Sequence, residues 1–251
     1  MKSSVQDRKF VCLDCEATGL NTEQDRIVEI ALVTFTLDEK LDSFESLVNP
    51  HYPISEEAGK VHRITEEMVQ GKPSMGELFP KIHSLLCDKI IVGHYISFDI
   101  NLLREEAKRH HLTLFPSPPQ IIDTLRLARN YGECTNNSLK SLRMHFNLPE
   151  LGDHRAMNDV QTTISLFHHF LKQYSSLAQL LKRLQKPIEL KKIPFGEYKG
   201  RLFSEIPLNY LQGLSRCKNF DEDLTYTIRR ELKKRKEKSR LCDHCNPFSH
   251  L

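Results

Sequence analysis

The apolar run Phe10-Val-Cys-Leu ends in two acids, Asp14 and Glu16, and the pattern breaks at Gly19. Residues 9–14 read as a buried strand, and period-two alternation carried on to Glu16 puts both acids on one face. Residues 26–37 are rich in β-branched side chains and predict a second strand. A polar turn, Asp38-Glu-Lys40, leads into a third strand over 41–48, which Asn49-Pro50 ends. Three strands in succession predict an antiparallel meander.

Beyond Pro53 the period becomes helical. Ser55 and Thr65, each followed by two glutamates, mark helix starts, and residues 75–87 form an amphipathic helix. Lys89-Ile-Ile-Val-Gly93 is a short buried strand. Ser97 to His111 is a helix with Leu102, Leu103 and Ala107 on one face, broken by the Pro-rich segment 116–119. Ile121-Ile-Asp123 is a brief strand leading into a helix through Ala128. Asn137-Ser138 starts another helix, and residues 155–171 make a long one with Val160, Ile164, Leu166 and Phe167 on its apolar face. Strands first, then strand–helix units, predict an α/β fold: a mixed sheet flanked by helices.

The chain therefore divides into a domain over 8–172, a helical linker over 173–192, a small C-terminal module over 193–240 with strand and turn signals, and a tail over 241–251. Charge sharpens this division. Residues 187–251 hold 14 Lys/Arg against 9 Asp/Glu, while the rest holds 22 against 24. The acidic part suits cations and the basic part suits a polyanion. Arg229 to Arg240 alone has eight basic and two acidic residues. No apolar run reaches the roughly 18 residues of a membrane span, and no secretory leader is visible, so no membrane association is expected. Seven scattered cysteines suit a reducing cytoplasm with free thiols. Cys242 and Cys245 have zinc-ligand spacing, and Cys12 and Cys15 share it, but strand alternation points those two to opposite faces, so no second ligand pair is available.

Two carboxylates on one strand face repel and lose hydration, which a divalent cation or exposure to solvent would relieve. Two later segments bear on the choice. Val92-Gly-His-Tyr-Ile-Ser-Phe-Asp99 places an acid in the first turn of a helix, where the helix dipole already favours it. Gly152-Asp-His154-Arg-Ala-Met-Asn-Asp159 places a histidine before a helix and an acid inside it, with Asp153 as a local N-cap. Together Asp14, Glu16, Asp99 and Asp159 would form a pocket for two hard cations about 3.5–4 Å apart, as in two-metal phosphoryl chemistry. Oxygen ligands favour Mg²⁺ or Mn²⁺, and His154 titrates near neutrality, as a general base must.

These three segments, in this order, resemble the motifs of the DEDD-h (DnaQ-like) exonucleases, a family that includes the proofreading epsilon subunit of bacterial DNA polymerase III, RNase T and oligoribonuclease. The resemblance covers about 8–172. It implies an RNase H-like five-stranded sheet and two-metal 3′→5′ removal of nucleotides from a single-stranded 3′ end. Asp14, Glu16 and Asp159 would hold one metal, Asp14 and Asp99 would serve the second, and His154 would be the base. Thr18, Gly19, Leu20, His62 and Phe98 would contact substrate, although His62 reads equally well as a surface residue. Tyr95 stands where the family often has Asn, and Ala17 where Thr is common. The resemblance favours DNA and proofreading or repair, with the polymerase catalytic subunit as a partner. An RNA-trimming enzyme is the alternative within the family, and a non-catalytic nucleic-acid-binding or scaffold subunit is the alternative outside it. The segment Ile193 to Arg201 is similar to a small domain of unknown function, and its Gly-flanked turn reads first as a structural turn.

Overall fold

The computed structural model describes residues 8–115, 117–134, 136–152, 154–217 and 220–244. Asp153, Cys245 and the end of the expected tail, with His250, lie outside the described residues. Strands β1 (Phe10–Ala17), β2 (Ile27–Phe35), β3 (Lys40–Leu47), β4 (Ile90–Gly93) and β5 (Ile121–Asp123) form one sheet in the order β3-β2-β1-β4-β5. The β3-β2-β1 half is antiparallel and the β1-β4-β5 half is parallel. This is the mixed five-stranded sheet that the hydrophobic pattern predicts. β1 differs in one respect. It does not stop at Asp14 but continues through Ala17, because its pairing with β2 persists that far, ending in a register shift at Glu16/Ala17. Such a bulge adds local twist and re-aims the side chains beside it.

The helices follow from caps and apolar stripes. α1 (Glu56–His62) starts at Ser55, whose hydroxyl accepts from Ala58 N–H, and α2 (Glu66–Val69) is a single turn. α3 (Met75–Leu86) opens with a capping box between Ser74 and Glu77. α3 and α4 (Ser97–Arg109) cover one face of the sheet, with Phe79, Ile82, Leu102 and Leu103 against Leu13, Ile30 and Leu32. α5 (Thr124–Tyr131), α6 (Leu139–His145) and α7 (Ala156–Leu171) cover the other. There Phe10, Phe35 and Phe167 pack ring against ring at 5.3–6.1 Å. Cys12 belongs to this second core and Cys15 to the first, as strand alternation requires.

α8 (Leu177–Leu184) lies in the expected linker, yet it buries Leu177, Leu180 and Leu184 in the second core. The C-terminal module has its own small core of Ile193, Phe203, Ile206, Leu211, Leu224 and Ile228. The strand signals expected there are corrected. Among the described residues the module has a single bridge, Lys192 to Leu202, because Gly196 and Gly200, both at positive φ, fold the segment into a tight turn. A 3₁₀ turn (Phe203–Glu205), α9 (Leu208–Leu214) and the long α10 (Glu222–His244) complete it.

The module is clamped to the larger domain by charge. Asp223 is 1% exposed and accepts from Arg126 Nε and Nη2, from Arg129 Nη1 and from Ile188 N–H, at 2.9–3.2 Å. Arg129 Nη2 also donates to Asp221 at 2.8 Å. Removing the central carboxylate leaves two guanidinium groups without their buried partner. Asp223→Ala is therefore expected to cost about 3 kcal/mol, read as a lower urea midpoint and as new protease cleavage between residues 184 and 222. An unchanged midpoint and digest would show that the clamp does not hold the module.

Candidate active site

β1 pairs with β4 only from Phe10 to Cys12, because β4 ends at Gly93 and its chain turns away. The β4-side edge of β1 is then open beyond Cys12. Asp99, in the first turn of α4, closes it: its Oδ1 accepts from Cys15 N–H at 2.8 Å. A buried backbone donor needs such a partner, so Asp99 is fixed in place beside the strand that carries Asp14 and Glu16.

On the other edge, Glu16 stands opposite Glu29 of β2. Glu29 is fully buried and would repel Glu16 if it were unpaired. It is held instead by Arg155, which donates through Nε at 3.0 Å and Nη2 at 2.6 Å, and by Ala156 N–H at 3.0 Å. This carboxylate caps the first turn of α7 and locks that helix to β2. Asp159, on the same first turn, is thereby delivered to the sheet. Ligand oxygens of Asp14, Glu16 and Asp159 all lie within 4.8 Å of one another. The structure thus brings together three of the four predicted acids as a cluster, with Asp99 beside them and bonded to the backbone.

The electrostatics reflect this crowding. Burial above all, then the charges of Asp99, Asp159, Glu16 and Glu29, push Asp14 well above the usual carboxylate range. Burial, Asp159 and Glu29 push Glu16 up to about 8, although Arg155 opposes them. Burial lifts Asp99 to about 8 against the pull of its hydrogen bonds to Cys15 and its own backbone. A divalent cation would reverse these shifts by supplying the missing positive charge. The residues therefore fit a hard-cation site.

The remaining expected residues are distributed around the cluster. His154 is exposed and sits at φ 61° just before α7, five residues ahead of Asp159. Leu20 is 90% exposed, an unusual state for a leucine. Phe98 is half-buried against the first core. Thr18 is buried and its hydroxyl is already used: it donates to Asp25 Oδ1 at 2.7 Å and accepts from Arg26 N–H at 3.0 Å. Gly19 has no room for a side chain, since a Cβ would come within 2.5 Å of the same anchored Asp25 carboxylate. Thr18 and Gly19 therefore shape the loop through the backbone.

The reading of His62 as a surface residue is corrected, since it is 2% exposed. Its Nδ1 accepts from Ile64 N–H at 3.0 Å, which leaves Nε2 to donate to Ala17 O at 3.2 Å. Burial lowers its pKa. Both nitrogens are occupied, so His62 pins the end of β1 from below.

Sequence reasoning missed Glu29, Arg155 and Asp25. An acid in the middle of an otherwise apolar strand, Ile27-Val-Glu-Ile-Ala-Leu-Val, was the available signal for Glu29. It also left Asp123 as a plain strand–helix junction. Asp123 Oδ1 accepts both from Leu125 N–H at 2.8 Å, as the N-cap of α5, and from Tyr95 N–H at 3.0 Å. Tyr95 is thereby held at φ 57°. His94 beside it bridges Thr124 and the carbonyl of Asn137, and burial takes its pKa down to about 4.

Comparison with known proteins agrees with this geometry. The RNase_T exonuclease family model matches residues 11–167, from β1 into α7. The DNA polymerase III epsilon subunit of Aquifex aeolicus is 31% identical over 174 residues, covering 69% of this chain and 85% of that one. A PolC-type DNA polymerase III of Pediococcus pentosaceus is 37% identical over 165 residues, covering 65% of this chain. The chain spans only 11–14% of the length of such polymerases. Among solved structures, exonuclease X in complex with 5′ overhanging duplex DNA is 29% identical with a TM-score of 0.56, over 70% of this chain and 99% of that one. Escherichia coli exonuclease I in complex with a dA16 oligonucleotide, at 20% identity and TM-score 0.62 over 71% of this chain and 43% of that one, shares the fold. The sheet order and flanking helices are those of the RNase H-like exonuclease fold.

Two outcomes follow from the acid cluster. Glu16 and Asp99 bind protons up to about pH 8 in the metal-free folded state, whereas the unfolded acids titrate near pH 4. Between those values the folded state holds more protons, so stability falls as pH rises through the window. In EDTA the urea midpoint should drop from pH 5 to pH 8, the drop should shrink in Glu16→Gln, and Mn²⁺ should abolish it. A flat midpoint in EDTA would contradict the crowding. Glu29→Ala removes the acceptor of Arg155 and Ala156 and should cost about 2 kcal/mol, with weaker Mn²⁺ binding by calorimetry because α7 is no longer locked.

Proposed function

The chain belongs to the RNase_T exonuclease family, and from that premise we propose that it removes nucleotides one at a time from the 3′ end of DNA by metal-dependent hydrolysis. The observation that carries the reading is the cluster of Asp14, Glu16 and Asp159 within 4.8 Å, at the end of the central strand. Asp14, Glu16 and Asp159 would hold one divalent cation, and Asp14 with Asp99 would serve a second. Mg²⁺ or Mn²⁺ suits an all-oxygen ligand set. When bound, such cations acidify water and offset charge on the phosphate.

The chain's own residues supply the rest. His154, exposed at the start of α7, takes the proton from the attacking water, a role open to an imidazole that is not locked into the core. The backbone at Thr18 and Gly19, held by Asp25, forms a rigid stop for the terminal sugar. Leu20 and Phe98 offer apolar surface to the terminal base, which has a face to stack or wedge against.

DNA is favoured over RNA because the named relatives are DNA polymerase III chains and a DNA-bound exonuclease. Kinship with the epsilon subunit supports a proofreading or repair role and a polymerase catalytic subunit as partner. Five free cysteines among the described residues suit the cytoplasm, and no helix among those residues is long and apolar enough to cross a membrane.

The test is degradation of 5′-labelled and 3′-labelled single strands of DNA and RNA with Mn²⁺ or EDTA. A 3′-labelled strand should lose its label as mononucleotide at once, while a 5′-labelled strand shortens as a ladder. Asp14→Ala should lower the rate at least a thousandfold, on the order of the loss for an essential catalytic group, with an unchanged circular dichroism spectrum. Faster loss from RNA would move the substrate to RNA, and full activity of Asp14→Ala would dismiss the site.

A further inference from the structure

α10 has two unlike faces. Leu224, Ile228 and Leu232 pack into the module's core. The side away from that core carries Arg229, Arg230, Lys233 and Lys234, with Lys236 and Lys238 on its flanks, all exposed. Some of the helix's cations are spent within the protein. Arg230 and Lys234 pair with Glu189 at 3.2 and 2.8 Å. Arg235 binds Glu231 and the carbonyls of Ile206 and Phe203. The others are not. Arg229, Lys236 and Lys238 have no ion-pair partner among the described residues, and Lys233 has only an exposed contact with Glu237 at 3.9 Å. A groove of about 780 Å³ runs along this face between Tyr226, Arg229, Lys233 and Glu237.

The location of this ridge gives it meaning. The N-terminal end of α10 is clamped by Asp221 and Asp223 to Arg126 and Arg129 of α5. The N-cap of α5 is Asp123, which also holds Tyr95. Tyr95 lies in the loop that leads into α4 and Asp99, and its ring is 47% exposed. Burial first, then the charge of Asp221, raise the pKa of the Tyr95 hydroxyl. A short chain of bonded groups therefore links the loop that feeds Asp99 to the start of α10. From Arg229 to Lys238 the helix rises about 13.5 Å at 1.5 Å per residue, long enough to lie beside more than one phosphate of an adjacent strand.

We propose that the basic face of α10 is a track for the phosphodiester backbone of the strand upstream of the 3′ end, so that the C-terminal module holds single-stranded DNA while the acid cluster cuts it. This rests on the exonuclease reading above. Charge decides the class of occupant: unneutralised cations on a helix bind a polyanion by releasing its counterions, and the start of this helix is bonded through α5 to the loop that feeds Asp99.

The experiment uses the full chain with Arg229, Lys233 and Lys236 changed together to Glu. These side chains are exposed and outside all three cores, and an unchanged melting curve verifies the fold. Binding of a 5′-labelled 20-nucleotide DNA strand is followed by anisotropy in EDTA against salt. The variant should bind at least tenfold more weakly at low salt, with a log–log salt slope smaller by about 2, from three phosphate contacts at ~0.7 each. In Mn²⁺ it should cut the 20-mer at least tenfold less efficiently by kcat/KM, while cutting a trinucleotide, too short to reach α10, within twofold of the parent. Equal binding and equal slope for the two proteins would overturn the track. So would competition by polyglutamate as strong as by DNA of the same length, since the face would then be a general anion surface. Failure of the parent to cut the trinucleotide or the 20-mer would instead overturn the exonuclease reading, and the binding measurement would still decide the track.

Discussion

Three carboxylates within 4.8 Å repel one another, and a chain folds around such a cluster only if other bonds fix the backbone that carries it. Those bonds are on both edges of β1. On the β4 side, Asp99 accepts from Cys15 N–H where the parallel ladder has ended. On the β2 side, Glu29 takes Arg155 and the first N–H of α7. The two acids look alike in sequence but differ in consequence. Glu29 is held by a guanidinium and a helix N–H and so acts as a strut, although its charge still raises the pKa of Asp14 and Glu16. At Asp14 and Glu16 burial and the neighbouring acids prevail, and both carboxyls are pushed above the usual range. An acid cluster facing a strut of this kind stores electrostatic strain that a cation relieves, and strain of this sort gathers at functional sites.

Among the described residues seven non-glycine residues have positive φ, and two of them lie in loops that feed acid-bearing helices. Tyr95 and His154 both hold left-handed conformations that non-glycine residues seldom adopt. Tyr95 stays there because Asp123 captures its N–H. His154 stands between Gly152, at φ 92°, and the Glu29-bound start of α7. Each lies in the loop that feeds an acid-bearing helix, α4 or α7. Helix starts give a fixed direction to a side chain in the first turn, so the loops set where Asp99 and Asp159 point.

How much of this the sequence discloses depends on the range of the interaction. Period-two alternation places Asp14 and Glu16 on one face, and the β-branched run of β2 and the apolar stripe of α7 show themselves locally, so the sheet and its flanking helices were legible. The acid motifs were legible because each falls at a predicted element end. The extent of β1 was not, since its last residues are held by pairing with β2 rather than by an apolar run of their own. Glu29 and Arg155 are 126 residues apart, and neither carries a local sign of the other. His62 looked like a surface residue because histidine usually is, and only the fold brings Ala17 O to its ring. The same holds for Asp223, which reads as an acid near a helix start until Arg126 and Arg129 arrive from α5.

That last clamp changes what the C-terminal module can be. A domain on a flexible tether would explore many positions and add only effective concentration to whatever it bound. Here the attachment is a buried carboxylate shared by two arginines and the Ile188 N–H, reinforced by Arg126 Nη1 donating to the carbonyl of Leu184. α8 adds its leucines to the larger core on the same side. The module therefore has a fixed direction relative to the acid cluster, and α10 lies along a fixed line from it. A charged helix held rigidly would constrain where a polymer could lie on it, because the module's own ordering cost is already met by folding. The larger domain carries the acid cluster, and the clamp at Asp223 fixes how α10 is attached to that domain.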